Sequence, residues 1–482
     1  MNQKDDFLRE IEAVLGARGF TRDPELIEPW LTDWRGRYKG KALALLSPST
    51  TQEVSAAVRL CSRHGIAIVP QGGNSGMVGG ATPDASGTAI VLSLRRMNRI
   101  RKLDTDAMQV TCDAGVVLQT LHEAAERERL RFPLTLGGKG SATIGGLIST
   151  NAGGTQVLRH GVMRDQVLGI EAVLADGRIF DAMTVLKKDN RGFDLKQMLI
   201  GSEGTLGIIT GATLKLVPEI GERVVAWVGL SSIIDARKLL VYCQKHAGEV
   251  LEGFEVMPAH CLASVIAHVP DARSPLDSEH AWHALIEFAA DPTRKGSLRE
   301  QAEQILFAAM EAGLGEDIVI ATNEAQAEAF WLLRDEIAPA ERAIGPAMQH
   351  DISVPVERMA EFVEAAVPQV EQRFPDTRAI AFGHLGDGNV HFHVLAPGGA
   401  ERGEWENSDG KAISGFVYEL VTQWGGSISA EHGIGQVKRD ELARLGDPVA
   451  NSLMRSVKLA LDPKGILNPG KLVPLAPTAL SD

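Results

Sequence analysis

The chain has 482 residues and a formal net charge of −13, enough length for two or three domains with a large core. The acidic balance, with no polybasic block, excludes nucleic acid as an expected partner, and no apolar run approaches the roughly 20 residues of a membrane-spanning helix. Met1-Asn-Gln-Lys-Asp-Asp6 lacks the basic head and apolar stretch of a secretory leader, and Cys61, Cys112, Cys243 and Cys261 show no Cys-x-x-Cys spacing, so a cytoplasmic protein with reduced, mostly buried thiols is expected.

Apolar positions at Phe7, Ile11, Val14 and Leu15 predict a helix from about Lys4 to Gly16. Leu43–Leu46 reads as a short strand, Glu53–His64 as an amphipathic helix ending at Gly65, and Ile66–Val69 as the next strand. Directly after that strand, Pro70-Gln-Gly-Gly-Asn-Ser-Gly-Met-Val-Gly-Gly80 places five glycines in the nine positions 72–80. Such glycines let backbone N–H groups turn towards an anion, and a pyrophosphate suits that nest. The spacing is neither Gly-x-Gly-x-x-Gly nor a Walker loop, which disfavours a Rossmann site and an NTPase.

A helix is predicted over Leu118–Arg129. Beyond it, Leu136-Gly-Gly-Lys-Gly-Ser-Ala-Thr-Ile-Gly-Gly-Leu-Ile-Ser-Thr-Asn-Ala-Gly-Gly154 mixes glycines with hydroxyls and an asparagine, the chemistry for wrapping a large polar cofactor. Val167–Leu174 and Arg178–Phe180, joined through Asp176-Gly177, read as a hairpin. In Leu199–Ile209, apolar strand residues bracket the turn Gly201-Ser-Glu-Gly204.

After Pro218 strands are expected at Val224–Leu230 and Ala284–Phe288, and helices at Ser232–Ala247, Arg294–Ala312 and Glu324–Glu341. This pattern suits an antiparallel sheet with helices on one side. Phe382-Gly-His-Leu-Gly-Asp-Gly-Asn-Val-His-Phe-His-Val394 then holds three of the thirteen histidines. Asp387-Gly388 predicts a two-residue type I′ turn, which would set His384 directly opposite His391, near enough for two imidazoles to hold one divalent metal. His391 and His393 share a face and the intervening apolar residues take the other. The best carboxylate to complete the site is Glu431 in Ser429-Ala-Glu-His-Gly-Ile-Gly435. Further helices are expected at Ala412–Trp424 and Asp447–Leu461, and a frayed tail after Leu472.

Together these motifs resemble a known family. The Pro-Gln-Gly-Gly-Asn-Ser-Gly loop, the Gly-Ser-Ala-Thr-Ile-Gly-Gly-Leu-Ile-Ser-Thr-Asn-Ala-Gly-Gly run and Gly-Ser-Glu-Gly-Thr-Leu-Gly look like the FAD-binding domain of the vanillyl-alcohol oxidase / p-cresol methylhydroxylase (PCMH) flavoproteins. With Gly383–His391, Glu431-His432-Gly433 and Asp462-Pro-Lys-Gly-Ile-Leu-Asn-Pro-Gly-Lys471, nearly the whole chain is similar to the FAD-linked D-2-hydroxy acid dehydrogenases, the D-2-hydroxyglutarate and D-lactate group. The resemblance implies an α+β architecture: a PCMH-type FAD-binding domain over residues 1–218, an α+β substrate and metal domain over 219–425, and a segment 426–482 returning to the flavin.

The resemblance further implies that Gly72, Gly73, Asn74 and Ser75, flanked by Pro70 and Gly76, hold the FAD pyrophosphate. Ser141, Gly145, Gly146, Ser149, Asn151 and Gly153, with Gly138, Ile144 and Thr150, would line the isoalloxazine and ribityl side; Glu203, Gly204, Ile209 and Asn468 complete the cofactor set. Some relatives attach FAD through a histidine in the first loop, where this chain offers Asn74, so a non-covalent flavin is expected. Arg334 corresponds to an arginine that clamps a substrate carboxylate. Two departures stand out: 2-hydroxyglutarate enzymes are expected to carry a threonine where this chain has Ala338 and a lysine where it has Gln349. The substrate is therefore left open.

Oxidising a 2-hydroxy acid removes a proton from the hydroxyl and a hydride from Cα, with flavin as acceptor. A divalent metal on His384, His391 and Glu431, zinc first with manganese or iron as alternatives, would polarise the hydroxyl. His432, beside a metal ligand, is placed as general base, while Asn389 and His393 position the rest of the substrate. The partners expected are the 2-hydroxy acid, an electron acceptor such as an electron-transfer flavoprotein or quinone, and a second copy in a homodimer. The alternative is a flavin-free metallohydrolase using the same histidine cluster, for which the two Gly-rich segments have no use.

Overall fold

The computed structural model describes residues 3–473. The chain packs into two units: one takes in the chain up to Gly154, His160–Pro218 and the chain from Glu431 onwards, and the other Thr155–Arg159 and Glu219–Ala430. Residues 474–482 of the expected tail lie outside the described residues.

The first unit is built on two main sheets, with a two-stranded pairing of Leu130–Arg131 and Val217–Pro218 beside them. The smaller runs Phe20–Thr21, Leu45–Leu46, Ile90–Ser93, Ile68–Gln71, with its last three strands parallel. Helix Thr51–His64 feeds this sheet. Thr50 caps it by accepting from the Glu53 N–H, and Gly65 ends it at φ +65°, a conformation glycine adopts without a Cβ penalty. The larger sheet is antiparallel, in the order Ile100–Asp104, Gln109–Asp113, Ile208–Lys215, Val167–Val173, Ile179–Ala182. One apolar core joins both sheets, with Ile68, Ile90, Leu92, Cys112, Ile144 and Ile170 inaccessible to solvent. Leu199, expected to lead a strand, instead ends the helix Leu195–Leu199.

The second unit is a seven-stranded antiparallel sheet ordered Asp317–Ile320, Glu222–Leu230, Trp282–Ala290, Leu251–Pro258, Arg378–His384, Asn389–Leu395, Ala347–Ser353. Helices Ile233–Ala247, Leu298–Glu311 and Glu324–Asp335 each start on a side-chain cap, from Ser232, Ser297 and Asn323. The single helix expected over 324–341 is broken at Glu336, and a second helix runs Ile337–Ile344. Pro339 is the reason: its ring would collide with the carbonyl four residues back in a continuous helix.

The histidine hairpin differs from the expected geometry. His384 pairs with Asn389 and Phe382 with His391, so the loop is the four residues 385–388. Of Asp387-Gly388 only Gly388 takes a positive φ, +81°, whereas a type I′ turn needs it at both. The Asp387 carboxylate instead accepts from the Asn389 N–H at 3.0 Å. The register is offset by two residues from the expected one, and because side chains alternate with period two the histidines keep a common face.

Candidate active site

Seen along the shared face of this hairpin, the His384 and His391 rings lie 5.3 Å apart between centroids, and His391 and His393 6.4 Å. The opposite face is apolar: Val390, Phe392 and Val394 are inaccessible, with Phe392 against Phe362 at 6.3 Å. A residue that sequence reasoning missed organises the polar face. Glu255, on the strand Leu251–Pro258 and 1% exposed, bridges Arg334 and His384. Its Oε2 accepts from Arg334 Nε at 2.7 Å and its Oε1 bonds His384 Nδ1. Burial alone would raise its carboxyl, but His384 and Arg334 hold it well below the usual carboxylate range. Burial likewise opposes charge on His384, yet the Glu255 carboxylate carries that imidazole up to about 9.

Arg334 is 9% exposed and stacks over Phe382 with its Cζ 5.2 Å from the ring centroid. It is not a solvated helix residue, and its orientation is set by a carboxylate below and an aromatic face alongside. His393 Nδ1 bonds the buried Glu341 carboxylate, whose other oxygen has no hydrogen-bond partner. The Asn389 amide donates to Asp351 Oδ1 at 2.9 Å and to the Ile352 carbonyl at 3.0 Å, so its nitrogen braces the neighbouring strand.

Glu431 follows Ala430, whose N–H donates to the Asp351 carbonyl. His384 and His391 offer two imidazoles from one face of the sheet, and Glu431 is the carboxylate expected to complete the set. Two imidazoles and a carboxylate make a donor set suited to a divalent transition ion, with positions left over for water or substrate. Burial, followed by the charges of Arg334 and His384, pushes the pKa of His391 well below its ordinary value, leaving it in the neutral form a metal requires. Ligand Nε2 with Nδ1 on a carboxylate is the arrangement that fixes the tautomer of a metal-binding histidine, and Glu255 supplies that carboxylate to His384. His432 is half-buried, the next residue along from Glu431.

In the first unit the two Gly-rich segments are in contact. A Cβ on Gly73 would stand 1.8 Å from the Ser141 carbonyl oxygen, and one on Gly72 2.2 Å from Thr143 Oγ1. Asn74 sits at φ +54° with its amide on the Thr32 carbonyl. Helix Ile144–Thr150 ends at Asn151 in the left-handed region, and Asn468 Nδ2 bonds the carbonyls of Gly80 and Glu203. Buried Thr143 Oγ1 and Asn468 Oδ1 lack hydrogen-bond partners, and Gly72, Gly73, Asn74, Ser75, Ser141, Gly146 and Ser149 keep partial exposure. Closely apposed glycine backbones with orphaned polar atoms fit a polar cofactor held largely by the main chain. The Ser149 and Thr150 hydroxyls, by contrast, bond carbonyls of their own helix, and Gly204 packs on Pro70.

Replacing Gly73 by alanine is expected to yield protein with little or no bound flavin, since the added methyl meets backbone that cannot swing aside. The ratio of visible to protein absorbance measures this, and full flavin content in the variant would sink the packing argument.

The family described as FAD binding domain matches residues 42–182, and that described as FAD linked oxidases, C-terminal domain, matches 221–472. A D-2-hydroxyglutarate dehydrogenase, mitochondrial, from Bos taurus is 38% identical over 471 residues, covering 98% of this chain and 84% of the relative. A D-2-hydroxyglutarate–pyruvate transhydrogenase from Saccharomyces cerevisiae is 32% identical, covering 93% and 90%. Among solved structures, p-cresol methylhydroxylase with substrate bound shares the fold at a TM-score of 0.73 and 15% identity, covering 97% of this chain and 96% of that one. Fold and matches define an FAD-dependent oxidoreductase with a PCMH-type FAD-binding fold. The chain belongs to the FAD-linked D-2-hydroxy acid dehydrogenases.

The comparisons correct one expectation. The Bos taurus relative, like those of Oryza sativa and Arabidopsis thaliana, is named as mitochondrial, which points to a mitochondrial rather than a cytoplasmic setting. Scattered thiols do not separate these compartments. Among the described residues no helix is long and apolar enough to cross a membrane, and all four cysteines are buried and free.

Proposed function

We propose that this enzyme oxidises a D-2-hydroxy acid, D-2-hydroxyglutarate, D-lactate or a close analogue, to the 2-oxo acid. The observation that carries the reading is the pair of facing imidazoles His384 and His391, with Arg334 and His384 sharing the Glu255 carboxylate. Residues 1–218 would form the FAD-binding domain, 219–425 the substrate and metal domain, and 426–482 the segment completing both. Non-covalent FAD would be held by the loop 70–76 and by the 138–153 run with Gly204, Ile209 and Asn468, and would supply the two-electron acceptor. A divalent ion on His384, His391 and Glu431, zinc in the first instance, would supply Lewis-acid polarisation of the substrate hydroxyl.

The chain's own groups do the rest. His432 accepts the hydroxyl proton as general base. Arg334 holds a substrate carboxylate through its planar array of donors, and Glu255 keeps guanidinium and imidazole in fixed orientation so that neither must reorganise during reaction. Asn389 and His393, braced by Asp351 and Glu341, shape the remaining wall. Balance requires that Cα–H leave as hydride and O–H as a proton, and the two electrons would finally go to an external acceptor, an electron-transfer flavoprotein or quinone in class.

The test is anaerobic bleaching of the flavin by a panel of D- and L-2-hydroxy acids of differing chain length. Bleaching by D-acids alone is expected. A colourless protein, or one that no 2-hydroxy acid bleaches, would overturn the reading and restore the metallohydrolase alternative. A further expected result concerns the metal. Prolonged chelation should leave the flavin spectrum intact and slow bleaching by at least about 100-fold, with recovery on adding zinc, manganese or iron one at a time. Full activity in metal-free protein would remove the ion from the reaction.

A further inference from the structure

We propose that Glu203 is a positioning residue that holds the loop carrying His432, rather than a contact of the flavin. This rests on the reading of His432 as the base. The carboxylate is fully committed: Oε1 accepts from the Ile434 N–H and Oε2 from the Gly435 N–H, each at 2.7 Å. Those two donors lie two and three residues beyond His432, in a stretch with no helix or strand to satisfy its backbone. A loop of that kind needs its N–H groups fixed from outside, and one carboxyl group taking two successive N–H groups, one on each oxygen, does so for both at once.

The rest of Glu203 is equally tied down. Its own N–H donates to the Ser149 carbonyl at 2.8 Å, and its carbonyl accepts from Asn468 Nδ2 at 2.8 Å. It is 8% exposed and holds φ at +51°, left-handed backbone that a residue with a side chain rarely adopts. Such a conformation persists only where surrounding contacts over-determine it. The loop wraps closely: Gly433 sits at φ +79°, and a Cβ there would come 2.9 Å from Glu203 Oε1. Burial raises the Glu203 carboxyl above its ordinary value, and the Ile434 and Gly435 N–H groups, followed by buried Lys438 and Lys471, oppose that rise. Glu203 thus connects the end of helix Ile144–Thr150, Asn468 and the residues directly after His432.

The experiment uses FAD-loaded full-length enzyme. Glu203→Gln keeps the shape but offers one acceptor oxygen where two are needed, so one of the two loop N–H groups loses its partner. The expected result is a flavin-reduction rate constant lower by about 10- to 100-fold, the scale set by small misplacements of a catalytic group. The substrate concentration at half-saturation and the FAD content per chain should be unchanged. The solvent deuterium isotope effect on reduction should rise, because displacing the base makes proton removal more rate-limiting, a change that general loosening of the fold would not produce. Glu203→Gln reducing flavin at the wild-type rate, while His432→Ala does not, would overturn the positioning role alone. Loss of rate in proportion to loss of FAD would also overturn it, and make Glu203 a cofactor or folding residue. His432→Ala reducing flavin at the wild-type rate would remove the reading on which the proposal stands.

Discussion

Replacing His432 by alanine is expected to slow substrate-driven flavin reduction by about 10²- to 10⁴-fold, the usual worth of a positioned general base, with FAD still bound. The residue follows Glu431, the carboxylate proposed to complete the ligand set of His384 and His391. It is half-buried and next in the chain to a proposed ligand, and in the proposed mechanism it would receive the proton without itself binding the ion. Stopped-flow reduction under anaerobic conditions separates this step from re-oxidation by the acceptor. An unchanged rate constant would assign the proton to another group.

Glu255→Ala is expected to have the largest effect on stability, a loss of about 3–5 kcal/mol, because removing one member of a buried charged set leaves the others uncompensated. Arg334 and His384 are 9% and 7% exposed and both bond this one carboxylate. Glu255→Gln, which keeps the volume, should cost less in stability but weaken metal binding by about 10- to 100-fold through loss of the group orienting His384. Calorimetric titration of zinc into metal-free protein measures the second effect, and denaturant unfolding the first.

The same set gives the metal-free protein a characteristic pH response. Glu255 is depressed when folded, so its contribution is present above its ordinary value of 4.5 and is lost as pH falls through the lower folded value. His384 is raised to about 9, so its contribution is complete below 6.5 and is lost as pH climbs towards 9. The stability difference between wild type and Glu255→Gln should therefore peak between pH 4.5 and 6.5 and shrink by pH 9. A difference that does not vary with pH would show that the carboxylate is not paired as described.

How much of this was legible beforehand depends on the kind of signal. Glycine spacing and capping residues are local, and they marked the helix Thr51–His64 and the cofactor segments because turns and caps are decided by a few adjacent residues. The shared face of His384 and His391 was legible for a similar reason, since alternation along a strand fixes the face even where the turn was misjudged. Glu255 was not found. It stands in Leu-Glu-Gly-Phe-Glu-Val-Met-Pro, a buried central strand whose neighbours in the sheet are Trp282–Ala290 and Arg378–His384, far away in sequence. A glutamate inside an apolar stretch of strand length was the available clue, because a carboxylate is buried only where cations wait for it. Burial of Arg334 escaped notice for the complementary reason: its partner was unidentified. The break at Glu336 could have been read from Pro339.

The tip of the histidine hairpin has a consequence for design. A change in length of the Leu385–Gly388 connection leaves His384 in place, because its strand is registered on Glu255, whereas a one-residue slip of the following strand would turn His391 towards the apolar face packed beneath. A designed single-residue insertion that shifts this pairing should therefore weaken metal binding through His391 while leaving the contact of His384 with Glu255 intact.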